Sequence, residues 1–223
     1  MTRSWLDPYS PPPFDGLDEV YKDEHILIVN KPAGLLSVPG VQPEKKDCLI
    51  SRVNSIYPEA LIVHRLDMST SGLIILARGK PMQSALSHMF RERQVEKNYI
   101  AVVGGLVKPQ LGLIELPLLV DWPNRPRQVV NFTDGKASTT GFEVLERDTA
   151  KQTTRLLLTP ITGRSHQLRV HLQAIGHPIA GDEFYATPEI LQMADRLLLH
   201  ARWLQFKHPV SGELLDIHCP ESF

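Results

Sequence analysis

Two short polar segments gather most of the residues able to do chemistry. Residues 64–72 read HRLDMSTSG, in which Asp67 is the sole carboxylate among hydroxyls, an arginine and a histidine. Ionised, such a carboxylate can act as nucleophile or general base. The same residues can instead close a turn, with Asp67 capping it and Ser69, Thr70 and Ser71 satisfying local amides. Residues 159–171 read TPITGRSHQLRVH. If that stretch is helical, Arg164, Leu168 and His171 fall at i, i+4 and i+7, so one face presents a cation, an apolar floor and an imidazole. A solvated basic helix has the same spacing. His166 and His171 stand five apart rather than four, and no HExxH occurs, so the segment lacks the pattern of a helical zinc site.

These clusters need elements to hold them. The 64–72 segment is followed directly by the apolar run 73–77, which places it at the entrance of a strand. Runs at 26–29, 99–103, 128–132, 139–145 and 155–158 also read as strands. Asp134-Gly135 between the 128–132 and 139–145 runs is a hairpin signal, because both residues tolerate positive φ. At least part of the sheet is therefore antiparallel. A helix is expected over 81–93, where Pro81 suits the first turn and Met82, Ala85, Leu86, Met89 and Phe90 make an apolar stripe. A second runs from Asp47 as N-cap through Leu49, Val53 and Ile56. A third spans about 164–175, stopped by Gly176 and Pro178. Strands outnumber helices without a regular β-α-β alternation, which gives an α+β class, a mixed and mainly antiparallel sheet flanked by helices.

Size and composition bound the rest. At 223 residues, 42% hydrophobic and 22% charged, the chain has the make-up of a folded protein with a sizeable core. Residues 1–18 hold four prolines and read as a tail on or beside a domain at 19–223. Twenty-four Lys and Arg against 25 Asp and Glu leave a net charge of −1, so bulk charge names no partner. Residues 151–171 nonetheless carry Lys151, Arg155, Arg164 and Arg169 without an acid. The two cysteines, Cys48 and Cys219, form no CxxC and point to a reducing compartment. No apolar stretch reaches the roughly 18 residues of a membrane span and the first residues lack a secretion core, so the cytoplasm is the expected location.

Taken together, the clusters resemble the RluA family of pseudouridine synthases. The likeness includes NKPAGL at 30–35 with VPG at 38–40, HRLDMSTSG at 64–72, KNYIA at 97–101, TGRSHQLR at 162–169 and HPIAGD at 177–182. It extends to LHAR at 199–202 and FKHP at 206–209. The DWPNRP segment at 121–126 resembles the compact subgroup that modifies both large-subunit ribosomal RNA and tRNA.

The resemblance implies an isomerase that detaches uracil from ribose, rotates it and rejoins it through C5, with no cofactor and no metal. It implies Asp67 as the catalytic carboxylate, Arg164 as its cationic partner, and Tyr99 as the ring packed on the target uracil. Arg65 is expected to fill the space left by a flipped base, with Leu168 as an apolar floor. Arg125, Arg127, Arg155 and Arg169 are candidate phosphate contacts. His64 and His200 are read as structural. The start is too short for the S4-like RNA-binding domain of many relatives, so the catalytic domain itself, a monomer by default, would capture structured RNA. Two other readings compete: an RNA-binding protein that keeps the fold without turnover, and a nucleoside hydrolase, which would ordinarily use a second carboxyl.

Overall fold

A computed structural model describes residues 9–223. In chain order the elements are β1 (Glu19–Lys22), β2 (Ile26–Lys31), α1 (Leu49–Asn54), β3 (Ala60–Ile62), β4 (Ser71–Arg78), α2 (Lys80–Arg91), β5 (Glu96–Gly104) and β6 (Leu111–Glu115). There follow β7 (Leu118–Val120), β8 (Gln128–Val130), β9 (Thr139–Asp148), β10 (Thr153–Pro160), α3 (Gln167–Ala174), α4 (Pro188–Leu191), β11 (Leu199–Lys207) and β12 (Leu214–His218). The class is α+β. The described residues pack as two compact units, residues 9–97 with 200–222 and residues 98–199 with 223.

In the first unit β4 is the central strand and is buried on both faces, as its unbroken run Leu73-Ile74-Ile75-Leu76-Ala77 demands. One edge of β4 pairs antiparallel with β2. Its other edge is shared: β11 runs parallel to its start and β3 antiparallel to its end. Gly72 makes the parallel join feasible, since at φ +111° its backbone lies so close to β11 that a Cβ would stand 2.3 Å from the Ala201 carbonyl oxygen. Helix α2 lays Met82, Leu86 and Met89 against Ile26, Ile28, Leu73, Ile75, Leu204 and Phe206. Each such side chain contributes roughly 1.5–3 kcal/mol when fully buried.

The second unit carries the antiparallel series β5-β10-β9-β6 and a separate ribbon, β7 with β8. Alternation along β10 turns Leu156 and Leu158 inward, where they meet Val144, Leu168, Leu172, Ile179 and Leu197.

Three local expectations change. Cys48, not Asp47, caps α1; the Asp47 carboxylate instead grips Arg52 at 2.7 and 2.8 Å. Asp134-Gly135 does make a turn, with Asn131 Oδ1 accepting from the Thr133 and Asp134 amides, but β8 and β9 do not pair across it. β8 is taken by the preceding strand β7 and β9 by the following strand β10 and by β6, so the hairpins on either side outcompete one across Asp134-Gly135. Helix α3 starts at Gln167 rather than near 164, because His166 adopts φ 53°, a left-handed conformation that no helix can pass through.

Candidate active site

Asp67 belongs to the first unit, on the loop that feeds β4. The Thr70 amide donates to its backbone carbonyl at 3.2 Å, closing a turn, and its side chain is half-buried. Both neighbours are held from beneath. The Lys31 ammonium is fully buried at the end of β2 and gives its three N–H groups to three carbonyls, Leu35 at 2.7 Å, Pro32 at 2.9 Å and Met68 at 3.1 Å. Ser37 accepts the Leu66 amide at 3.2 Å and donates its hydroxyl to the Leu66 carbonyl at 2.7 Å. Leu66 and Met68 are thus fixed on either side of Asp67. Lys31 and Ser37 had no role in the sequence reading. The signal was there in Lys31, a lone cation ending the apolar run ILIVN.

Arg65 is exposed and makes no hydrogen bond or ion pair among the described residues, so a structural salt bridge does not account for it. His64 stacks on Phe90, ring centres 4.4 Å apart, and its Nε2 accepts the Ile75 amide at 2.9 Å. Loss of water around the ring, with the Lys97 ammonium adding to it, pushes His64 down to about 3. It is a neutral splint between loop and strand. His200 plays a similar part: Nε2 donates to the Cys219 carbonyl at 2.9 Å, which leaves Nδ1 to accept from the Ser71 hydroxyl at 2.9 Å.

Tyr99 and Arg164 belong to the second unit. Tyr99 is half-buried on β5, opposite Leu158 of β10, and packs on that unit's core. Arg164 is exposed in the turn before α3, so it does not share a helix face with Leu168 and His171. Its backbone is fixed by Gln167, whose Oε1 accepts the Arg164 amide at 3.0 Å and the Thr162 hydroxyl at 2.7 Å. The Gln167 amide nitrogen donates to Thr139 O and Thr140 Oγ1, both at 3.0 Å. The network continues inward through Thr140 Oγ1 to His171 Nδ1 at 2.9 Å, while His171 Nε2 donates to Leu116 O at 3.0 Å. Burial lowers the pKa of His171, consistent with a neutral ring locked in the core. The guanidinium of Arg164 spends one N–H on Ala137 O at 3.4 Å.

The remaining candidates separate by exposure. Arg125 is exposed and stacks over the Trp122 ring at 4.3 Å. Arg127 lies over Phe184 at 5.9 Å. Arg155 donates to the Phe223 carbonyl at 2.7 Å and is half-buried. One expectation is corrected. Arg169 is 2% exposed and forms a bidentate pair with fully buried Asp182, at 2.8 and 2.6 Å, so it faces no phosphate. Leu168 is 7% exposed and lies in the same apolar cluster as Tyr99.

Among the described residues no three His, Cys, Asp or Glu gather to hold a metal, and no helix is long and apolar enough to cross a membrane. A carboxyl on a braced loop and several solvent-facing guanidiniums suit an enzyme that works on a polyanion. Comparison with known proteins makes that class specific. Residues 25–174 match the family described as RNA pseudouridylate synthase. Over 218 residues the chain is 50% identical to the dual-specificity RNA pseudouridine synthase RluA of Escherichia coli strain K12, covering 98% of this chain and 99% of that one. It is 53% identical over 218 residues to the protein of the same name from Vibrio parahaemolyticus, with 96% and 87% covered. The solved structure of human RNA pseudouridylate synthase domain containing 1 matches with a TM-score of 0.80 at 29% identity, over 96% of this chain and 87% of that one. The chain belongs to the RNA pseudouridylate synthase family, in its compact RluA branch, and is an isomerase.

Proposed function

We propose that the enzyme isomerises uridines in structured RNA, in stem-loops of ribosomal RNA, tRNA or both, with Asp67 as the catalytic carboxylate. The observation that carries the assignment is the loop itself: the residues on both sides of Asp67 are fixed by Lys31 and Ser37, while Asp67 itself is only half-buried. In the reaction the C1′–N1 bond of the nucleoside breaks, uracil turns, a C1′–C5 bond forms, and the proton on C5 is lost to water while N1 gains one. Both routes available to Asp67, attack on the nucleoside and removal of a proton, use the ionised form. Arg164 is the cationic partner that the family resemblance assigns to Asp67, and the turn that holds it leaves it exposed. Lysine would be a poor substitute, since it lacks the planar fork that matches a carboxylate. Tyr99 offers a ring face to the uracil.

Extrahelical presentation of the base costs a few kcal/mol, and unpaired Arg65 is suited to fill the gap, being planar and cationic. Arg125, Arg127 and Arg155 touch phosphates, and Leu168 serves as an apolar floor; Arg169 leaves the RNA-facing set. The protein works as a cytoplasmic monomer without metal or cofactor.

The test supplies ribosomal and tRNA fragments tritiated at uracil C5. The native protein should release tritium to water while the RNA keeps its base, and Asp67→Asn should be slower by about 1,000-fold or more. Release by Asp67→Asn at the native rate would remove Asp67 from the chemistry. Abasic sites with label retained would mark a hydrolase, and binding without release a silent RNA-binding protein.

A further inference from the structure

The segment just before β1 has no part in the chemistry proposed above, yet it is tied to the connection between β2 and α1, which supports the loop that carries Asp67. Tyr9 Oη accepts the Leu36 amide at 3.1 Å and donates to the Asp47 carbonyl at 2.8 Å. Three residues on, the chain is caught again. The Arg52 guanidinium, 8% exposed, holds the Asp47 carboxylate with Nε and Nη2 and reaches Pro12 O at 2.7 Å and Pro13 O at 3.4 Å. Its Cζ lies 5.2 Å from the centre of the Phe14 ring. Prolines 11–13 have carbonyls but no N–H, so this stretch presents only acceptors, which suits a guanidinium and leaves no donor orphaned under it.

The link inward is short. Leu36, which bonds to Tyr9, precedes Ser37, which exchanges two hydrogen bonds with Leu66, the residue before Asp67. Leu35, which precedes Leu36, gives its carbonyl to Lys31, which also holds Met68, the residue after Asp67. The segment 35–37 is therefore a common support: its inner side fixes both flanks of Asp67, and its outer side is fixed by Tyr9. The Leu36 and Ser37 carbonyls also accept the Leu49 and Ile50 amides at the start of α1, at 2.8 and 3.3 Å, so that helix stiffens the same support.

We propose that residues 9–14 act as a strap that positions the catalytic loop, with Tyr9 and Arg52 as positioning residues for Asp67. The proposal rests on Asp67 being the catalytic carboxylate. A phenol that both donates and accepts is needed, because it bridges an amide and a carbonyl on two sides of one loop. None of the residues assigned above to base or phosphate lies in the strap, so its loss should act on turnover and not on RNA capture.

The experiment uses full-length Tyr9→Phe, which keeps the ring and deletes both bonds. Tritium release should show kcat lowered about five-fold, the worth of one net hydrogen bond, with KM for RNA within about two-fold of native. Amide hydrogen exchange should quicken by about the same factor at residues 66–70 while α2, in the same molecules, stays unchanged. In a Ser37→Ala background, where the link to Leu66 is cut and only the one through Leu35 and Lys31 to Met68 is left, adding Tyr9→Phe should lower kcat by less than it does in the native protein. A native kcat, a loss carried by KM, or exchange rising equally in α2 would each overturn the strap, as would full additivity with Ser37→Ala. Failure of the underlying reading looks different: Asp67→Asn would keep the native rate, and the exchange arm would still decide whether Tyr9 braces the loop.

Discussion

The loop bearing Asp67 and the turn bearing Arg164 solve one problem with different chemistry. Each must fix a backbone while leaving one polar side chain accessible. In the first unit the fixing group is a charge, the buried Lys31 ammonium on three carbonyls, joined by the Ser37 hydroxyl. In the second it is a neutral amide, Gln167, which uses both its oxygen and its nitrogen twice. A buried cation that loses water must have all its donors met, and an error there costs more than at an amide. The more rigid device stands beneath the residue assigned the chemistry, and the more forgiving one beneath the residue assigned support.

That contrast can be broken by experiment. Lys31→Met keeps the length and removes the charge, leaving three carbonyls without their donor; urea unfolding should show a loss of about 3 kcal/mol. Gln167→Met removes a satisfied amide of similar shape and should cost less, about 2 kcal/mol, with tritium release slowed because the Arg164 amide is freed. Equal losses for the two, or a larger loss at Gln167, would erase the distinction.

The smallest effect concerns acid. His64 holds a pKa of about 3 in the folded protein against an ordinary 6.5, so the unfolded chain takes up a proton first as pH falls. Its contribution to stability is complete above about 6.5 and is lost as pH drops toward about 3. His64→Gln keeps an acceptor for the Ile75 amide without a titrating ring. Between pH 6 and 4 its stability should fall less steeply than native, by about one proton's worth. Parallel slopes would show that the ring is not kept neutral by its setting.

Legibility in the sequence followed the range of the interactions. Strand β4 and helix α2 were readable because hydrophobic periodicity over eight to twelve residues is a local signal. The role of the Asp67 segment was readable by its resemblance, and its place before a strand by the apolar run 73–77. Strands β11 and β12 went unread, since β11 owes its place to a parallel contact with residues about 130 positions earlier and carries His200 and Arg202 within it. The late start of α3 was hidden because a left-handed histidine has no sequence signature as glycine has. The supports were harder still. Lys31, Ser37 and Gln167 work through carbonyls and hydroxyls that only the fold brings near. Arg169 read as a surface cation because its partner Asp182 lies 13 residues on, beyond any helical spacing.

Arg169 also alters how the protein should respond to ionic strength. Its guanidinium lies beside both Phe184 and Tyr185 and is neutralised by Asp182, whose Oδ1 further accepts the amides of those same two residues. Dissolved counterions have no access to it. Of the basic stretch 151–171, what an RNA backbone can displace counterions from is therefore smaller than the formal tally, and the slope of affinity against salt concentration should count only the guanidiniums that solvent can reach.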